Sequence, residues 1–189
     1  SAEGITVTAQ PVLDATRRLG TVIADGAAVA DDAVWAFADD GAASLAHLRD
    51  RAAVAVAIDS LGLSEAMLDV TVAYVSVREQ FGRPIGSFQA VKHACADMLV
   101  EVCVARELVR AAVDQVATGA PDAWVATSMA KAHAGEAAVA VVGKAMQLHG
   151  GIGYTWESGI HVHLKRAALN RSLYGSPAEH RRRLATRHT

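Results

Sequence analysis

Aromatic residues, cysteines and net charge are all scarce in this 189-residue chain. Aromatic side chains make up 5% of the sequence while alanine and valine dominate, a balance that favours packed helices over a β-sandwich. The formal net charge of −2 provides no strong field for attracting nucleic acid or a membrane surface. Hydrophobic residues still reach 52%, so the composition is that of a globular protein and not of a disordered one.

Long apolar runs are also missing, and the two cysteines are poorly placed for a disulfide. No run approaches the roughly 20 residues that a membrane-spanning helix needs, and residues 1–4 do not begin a charged and then apolar leader. Cys95 and Cys103 would be about 12 Å apart on a helix, too far for a disulfide. We therefore expect a cytoplasmic protein whose cysteines are small core residues in a reducing compartment.

Two different sequence patterns meet near residue 41. Short runs of β-branched residues at 5–8 and 19–23 predict strands that are too few to bury a sheet of their own. Residues 1–41 are therefore predicted to be part of a β-domain followed by a linker, and residues 42–189 a helical domain.

Apolar residues in the second part recur every three or four positions, which predicts an up-down helical bundle. Four helices are predicted at about residues 44–79, 88–116, 122–148 and 156–173. A short basic helix is predicted to begin at residue 177. Ser44 and Asp122 are the predicted caps of the first and third helices, and Ser176 with Glu179 forms a capping box for the last. The third helix is alanine-rich on nearly every face, so it is expected to be a central or an interface helix.

The segment REQFGRPIGSFQ, residues 78–89, is the most informative part of the sequence. Arg78 at a helix end, a tight turn at Gly82 and a helix start near Ser87 would bring a positive charge close to free backbone N–H groups. That combination suits an anion. An ordinary helical hairpin with surface arginines explains the same residues, and the segment alone leaves both interpretations open.

A second glycine-rich segment, QLHGGIGY, covers residues 147–154. Its glycines would let a ligand approach the backbone closely, although a helix that ends in a turn uses the same residues. No strand precedes the segment, so it is not a dinucleotide-binding fingerprint.

Three other features of the sequence predict no site. His161 and His163 lie two positions apart, so they point to different sides of a helix, and no cysteine stands nearby in the sequence. Metal-binding helical bundles use a Glu-x-x-His motif, and this motif does not occur in the sequence. The basic run 181–183 is interpreted as a solvated helix face.

Together, the two glycine-containing motifs resemble the C-terminal half of the acyl-CoA dehydrogenase family. The family pattern R-x-x-F-G-x-x-[IL]-x-x-x-Q is matched by Arg78, Phe81, Gly82, Ile85 and Gln89. The later pattern Q-x-x-G-G-x-G-[YF] is matched by Gln147, Gly150, Gly151, Gly153 and Tyr154. Residues 13–19, LDATRRL, are similar to the late β-domain of bacterial members.

The resemblance implies a mainly α fold, an up-down four-helix bundle preceded by a short remnant of a β-domain. It also implies an FAD cofactor and the α,β-dehydrogenation of an acyl-CoA thioester. Three residues of the first motif would reach the FAD of a neighbouring subunit, and three of the second would contact the ADP portion of the same cofactor. The implied cofactor-binding residues are Arg78, Phe81, Gln89, Gln147, Gly150 and Gly151.

The chain departs from the family at the catalytic base, which is a glutamate in a Y-E-G-T segment. The corresponding segment here is LYGSP, and the glutamate position holds Tyr174 or Gly175. Some members place the base on the first long helix of this domain, where this chain has Ala52 or a neighbour. Glycine and alanine have no group that accepts a proton, and a phenol is a poor base at neutral pH. No catalytic residue is therefore expected in this chain.

The missing glutamate bears on the expected partners. Some actinobacterial members work as two unlike subunits, resemble this chain in lacking the glutamate, and typically act on steroid side chains or other bulky acyl-CoA esters. The resemblance implies a homo- or hetero-oligomer with acyl-CoA dehydrogenase-type subunits, an acyl-CoA substrate, and electron-transfer flavoprotein as a candidate electron acceptor. It leaves open whether the chain is a short subunit or a fragment. The alternative function is a structural or interaction bundle that descends from the family and binds no flavin.

Overall fold

The N-terminal part of the protein is a β-hairpin with no core of its own. The computed structural model describes residues 3–38 and 40–188. Strand β1 (Ile5–Gln10) pairs antiparallel with β2 (Leu19–Ala24), with Ile5 opposite Ala24. Nearly all residues of both strands are exposed, and an isolated pair of strands is marginally stable in water. The hairpin therefore depends on contacts outside itself.

Within the residues that the structure describes, five α-helices make up most of the chain after the hairpin. They are α1 (Gly41–Val77), α2 (Gln89–Thr118), α3 (Ala123–His149), α4 (Ile160–Ser172) and α5 (Pro177–Ala185). A minimal hairpin of β3 (Glu79–Gln80) and β4 (Arg83–Pro84) follows α1, and a 3-10 turn at Gly150–Tyr154 follows α3. The mainly α bundle predicted from the sequence is confirmed. Within the described residues, no helix is long and apolar enough to cross a membrane.

Helix α3 lies at the centre of the bundle and packs against α1, α2, α4 and α5. Its small residues allow this: Ala130 and Ala134 are completely or almost completely buried between Ala57 of α1 and Ala105 of α2. A second apolar cluster joins the later halves of α1 and α3 to the first half of α2 and to α4. Of the two positions predicted for this helix, the central one is confirmed.

Two helix starts differ from the sequence prediction. Helix α1 is capped by Asp40, whose carboxylate accepts hydrogen bonds from the N–H groups of Ala42 and Ala43 at 2.8 and 3.2 Å, so the cap predicted at Ser44 is wrong. Helix α4 begins only at Ile160, because a 3-10 turn and then Gly159, with a φ of +66°, occupy the preceding residues.

The exposure of the cysteines and the cap of α3 also differ from the sequence prediction, whereas the cap of α5 agrees with it. Cys103 is exposed and Cys95 only partly buried, so the core position predicted for both is wrong. Asp122 precedes α3, but its side chain makes no capping hydrogen bond there and pairs instead with Arg187 at 2.9 Å. The capping box of Ser176 and Glu179 is present as predicted.

A polar cluster ties the N-terminal segment to the bundle. The Asp59 carboxylate on α1 accepts hydrogen bonds from Arg17 at 2.9 Å, from Arg166 Nε at 3.1 Å and from Asn170 at 2.6 Å. Partial burial acts to raise the pKa of Asp59, but the hydrogen bonds from Arg166 and Asn170 and the two arginine charges outweigh it and leave that pKa below its usual value. Arg17 also donates to Asn170, so three distant segments meet here.

A buried lysine lies under the connection between α4 and α5. Lys131 of α3 is fully buried, and its ammonium donates to the carbonyl oxygens of Arg171 at 3.3 Å and Gly175 at 2.9 Å. Burial lowers the pKa of Lys131 to about 8, although the charge of Glu179 acts in the opposite direction. The lysine fixes the chain path just before α5.

We expect Asp59→Asn to reduce the free energy of unfolding by about 1–3 kcal/mol at pH 7, because charge-assisted hydrogen bonds are lost. The folded pKa of Asp59 is below the unfolded one, so its contribution is present above about pH 4 and disappears as the pH falls further. Urea denaturation of both proteins at pH 7 and pH 3 measures this, with exposed Asp69→Asn as the control. An equal difference at both pH values would contradict the assignment.

We expect the stability of the wild type to rise relative to Lys131→Met as the pH increases from 8 to 10.5. The unfolded chain holds the Lys131 proton more tightly than the folded chain across this range, so the burial penalty disappears with deprotonation. The relative gain should approach about 3 kcal/mol, measured by urea denaturation at several pH values. Lys92→Met, at an exposed position, is the control. If the difference in the free energy of unfolding between the wild type and Lys131→Met did not change with pH, the prediction would be refuted.

Candidate functional site

A groove of about 380 Å³ opens where α1 and α3 end side by side. Helix α2 runs back between them, so the C-terminal ends of α1 and α3 reach the same end of the bundle. The groove brings together residues more than sixty positions apart in the sequence. Its lining is Tyr74, Arg78, Gln80, Ile85, Gln147, Leu148, His149, Gly150, Gly151 and Ile152.

One wall of the groove is built on the end of α1. The N–H of Arg78 donates to the carbonyl of Tyr74 at 2.9 Å, and its own carbonyl accepts from the N–H of Ile85 at 2.7 Å. A Cβ at Gly86 would lie 2.9 Å from the carbonyl oxygen of Val75, so only glycine lets this turn pack on the helix. The exposed side chain of Arg78 therefore projects from a fixed backbone.

The other wall is the turn that ends α3. Gly150 has a φ of +61°, in the left-handed region that glycine adopts without strain. A Cβ at Gly153 would lie 2.6 Å from the carbonyl oxygen of Met146, so the turn folds tightly back on the helix. No atom lies within 4 Å of a Cβ built at Gly150 or Gly151, and the turn presents bare backbone to the groove.

The donor set in the groove fits the diphosphate of a dinucleotide. Arg78 supplies a fixed positive charge and Gln147 supplies a side-chain amide. Gly150 and Gly151 let a ligand come close to the backbone. The C-terminal ends of α1 and α3 contribute partial negative charge at the same place. The guanidinium of Arg78 offsets that charge, so an anion would depend strongly on this one side chain.

Two of the residues predicted to bind the cofactor lie outside this groove. Phe81 is 92% exposed and packs its ring edge-on against Phe88 at 6.1 Å. Gln89 is the exposed first residue of α2. Neither lines the groove. Their predicted contact with FAD on a neighbouring subunit stays a prediction.

A second pocket, of about 340 Å³, lies near the start of α1. It brings together the two places where the family pattern puts a base, because Tyr174 and Gly175 face the turn of α1 that carries Asp50 and Ala53. Tyr174 and Gly175 both have positive φ, at +54° and +105°. A Cβ at Gly175 would lie 2.8 Å from Nε2 of His180, so a glutamate cannot replace this glycine without a rearrangement.

Three ionisable groups of this pocket, Asp50, Glu179 and His180, are held by hydrogen bonds to neighbouring groups. The buried carboxylate of Asp50 accepts two hydrogen bonds from the guanidinium of Arg183. The carboxylate of Glu179 accepts from the N–H of Ser176 at 2.7 Å in the capping box. His180 Nε2 donates to the carbonyl of Tyr174 at 3.1 Å, and burial lowers the pKa of His180.

Sequence reasoning missed four residues that shape these two places. Tyr74 and His149 line the groove, and Lys131 and His180 hold the turn at Tyr174 and Gly175. Tyr74 lies one helical turn before Arg78, so helical spacing could have indicated it. Lys131 is identified only by the fold, because its carbonyl partners lie forty or more residues away.

The described residues contain no group of three or more His, Cys, Asp or Glu side chains placed to hold a metal ion. His161 packs its ring against Trp156 at 4.5 Å, and both of its ring nitrogens are buried without a hydrogen-bond partner. Partial burial lowers the pKa of His163, and the positive charge of Arg166 lowers it further.

Comparison with known proteins gives the same family as the motifs. The model of the acyl-CoA dehydrogenase C-terminal domain matches residues 39–189. The acyl-CoA dehydrogenase IpdE2 of Mycolicibacterium smegmatis is 42% identical over 181 residues, which are 95% of this chain and 52% of the relative. The chain thus spans about half the length of this relative.

Two similar solved structures each carry a pair of protein names, and one of them is named a complex. The Tcur3481-Tcur3483 steroid ACAD has a TM-score of 0.85 at 32% identity, covering 98% of this chain and 49% of that one. The ChsE4-ChsE5 complex of Mycobacterium tuberculosis has a TM-score of 0.88 at 28% identity, covering 100% of this chain and 50% of that one. Together with the family model, these likenesses show that the chain belongs to the acyl-CoA dehydrogenase family, of which it carries the C-terminal domain.

Proposed function

We propose that this chain is part of a flavin-dependent acyl-CoA dehydrogenase, in which it completes an FAD site and supplies no catalytic base. The observation that carries the proposal is the groove itself, where Arg78, Gln147 and the Gly150–Gly151 backbone converge. These residues come from two separate motifs of the family. Their meeting in one groove fits a single anionic ligand better than two unrelated helix ends.

The residues of this chain would bind and orient the ADP portion of the cofactor. Arg78 would form charge-assisted hydrogen bonds with the diphosphate, which the glycine backbone would also approach, and the Gln147 amide would bind the nucleoside end. When bound, FAD supplies the acceptor for the hydride that leaves the β-carbon of the acyl-CoA thioester. The chain's part in that reaction is therefore to hold the cofactor in place.

The proposed cofactor groove and the pocket at the family's base position lie at opposite ends of α1. Arg78 and Ala53 are separated by 25 positions, about 37 Å along a helix. This distance suggests that the groove and the pocket belong to two different sites of an assembly. The groove would complete a site whose reacting atoms are held by a neighbouring subunit.

The partner that fits this arrangement is a second acyl-CoA dehydrogenase-type chain that brings the base. Asp50 is paired with Arg183 and Glu179 with Ser176, so neither carboxylate is poised to remove a proton. One similar structure is named a complex of two proteins, and another is named a steroid ACAD. We therefore propose a bulky, steroid-type acyl-CoA as the substrate class, with electron-transfer flavoprotein as the electron acceptor.

The alternative is a bundle of the same family that only supports an assembly and binds no flavin. Two observations favour it: the partial negative charge from the ends of α1 and α3 at the groove, and the positions of Phe81 and Gln89 outside it. Flavin absorbance and stoichiometry, measured on the chain co-purified with its dehydrogenase partner, separate the two functions.

In that assembly, Arg78→Ala should weaken FAD binding roughly ten- to hundredfold. The variant removes a charge-assisted contact of order 1.5–3 kcal/mol. Flavin fluorescence during titration of the apo-assembly with FAD measures the dissociation constant. Arg110→Ala, an exposed arginine on α2 that pairs with Glu107, is the matched control. FAD held equally tightly by wild type and Arg78→Ala would show that the groove does not bind the cofactor.

The purified chain alone should show no dehydrogenation of any acyl-CoA when FAD and an electron acceptor are added, because it has no poised base. In the assembly, Tyr174→Phe should leave kcat unchanged, since no proton would pass through the phenol. Steady-state rates with a set of acyl-CoA esters test both statements. Turnover by the chain alone, or a large loss of kcat in Tyr174→Phe, would place a catalytic group in this chain.

A further inference from the structure

Two aromatic rings form the floor of the groove. The rings of Tyr74 and His149 are stacked, with their centroids 4.3 Å apart and their planes at 19°. Tyr74 belongs to the last turn of α1, and His149 is the last residue of α3. Both line the groove. The stack therefore joins the two helix ends on which the walls are built.

Each ring is also connected to its own wall. The carbonyl of Tyr74 accepts the N–H of Arg78 at 2.9 Å, so the two residues share the end of α1. His149 is buried and precedes Gly150 directly, and its Nδ1 donates to the carbonyl of Ala145 at 2.8 Å, which fixes the ring. The Tyr74 hydroxyl is 3.5 Å from the carbonyl oxygen of His149, at the limit of a hydrogen bond.

We propose that Tyr74 and His149 are a positioning pair for the diphosphate site, and this inference rests on the proposed function. The stack sets the distance between the Arg78 side chain and the Gly150–Gly151 backbone, so that both reach the same diphosphate. Neither ring takes part in the chemistry. A binding site needs its groups held to within about half an ångström, which a stacked pair between two helix ends can provide.

A purely structural role predicts a different result. If the stack only stabilised the bundle, its loss would lower the melting temperature and disturb every property of the assembly together. A positioning pair at the ADP end should instead weaken FAD binding while the reacting end of the bound cofactor stays unchanged. The dissociation constant and kcat at saturating FAD therefore separate the two roles.

The test uses Tyr74→Leu and His149→Leu in the assembly with the dehydrogenase partner. Both should raise the dissociation constant of FAD about three- to tenfold, the range for losing an aromatic pair. The flavin absorbance spectrum and kcat at saturating FAD should stay at wild-type values. Tyr74 is only partly buried, so its substitution opens no cavity in the core.

Two further variants show whether the stack itself matters. Tyr74→Phe keeps the ring and should bind FAD like the wild type. Val77→Ala, an exposed position next to Arg78 but outside the groove, is the control and should also have no effect.

The outcomes separate this inference from the proposed function. If Arg78→Ala weakens FAD binding but both leucine variants bind it normally, the positioning pair is wrong and the proposed function stands. The pair is equally wrong if Tyr74→Leu lowers kcat at saturating FAD as much as it weakens binding. If Arg78→Ala has no effect either, the proposed function is lost with the inference.

Discussion

The close packing of α3 is the constraint on which the rest of the structure depends. Ala130, Ala134 and Ala138 are 0–1% exposed, so the helices on either side approach α3 without large side chains between them. A larger residue at these positions would force the neighbouring helices apart, which typically costs about 1–3 kcal/mol. Because α1 and α3 share a direction, this packing also determines which of their ends meet. The groove and the pocket near Tyr174 are both consequences of the same central helix.

The elements at the two ends of α3 do different things. At its C-terminal end, the glycines at 150 and 153 fold the chain back and leave bare backbone beside Arg78. In its N-terminal half, Lys131 holds the turn at Tyr174 and Gly175 through two carbonyl oxygens. One end therefore suits a ligand, while the other is held by the protein's own polar groups. The Asp59 cluster adds a third connection, because it attaches the coreless N-terminal hairpin to α1 and α4 through Arg17.

Much of the helical fold could be predicted from the sequence, because apolar residues at three- and four-residue spacing have few other uses. Helix ends were less predictable, since Asp40 and Ser44 are both good caps and only the structure shows which carboxylate or hydroxyl meets the free N–H groups. The motifs indicated Arg78 and Gly150, and the family resemblance implied that both contact the same cofactor. His149 and Lys131 were missed because their partners lie 40 or more positions away, whereas the helical spacing of Tyr74 from Arg78 could have indicated that residue. The solvent exposure of Cys103 was not predicted, because a cysteine within an apolar run of residues resembles a core residue.

We propose that this chain, within an assembly, contacts the adenosine end of FAD. The most direct measurement is photocrosslinking with an FAD analogue that carries an azido group on adenine, followed by mass spectrometry of the labelled peptides. The account predicts a label on this chain in the peptides that contain Arg78 or Gln147–Ile152, suppressed by excess FAD. A label confined to the partner chain, or one on this chain that excess FAD leaves unchanged, would contradict it.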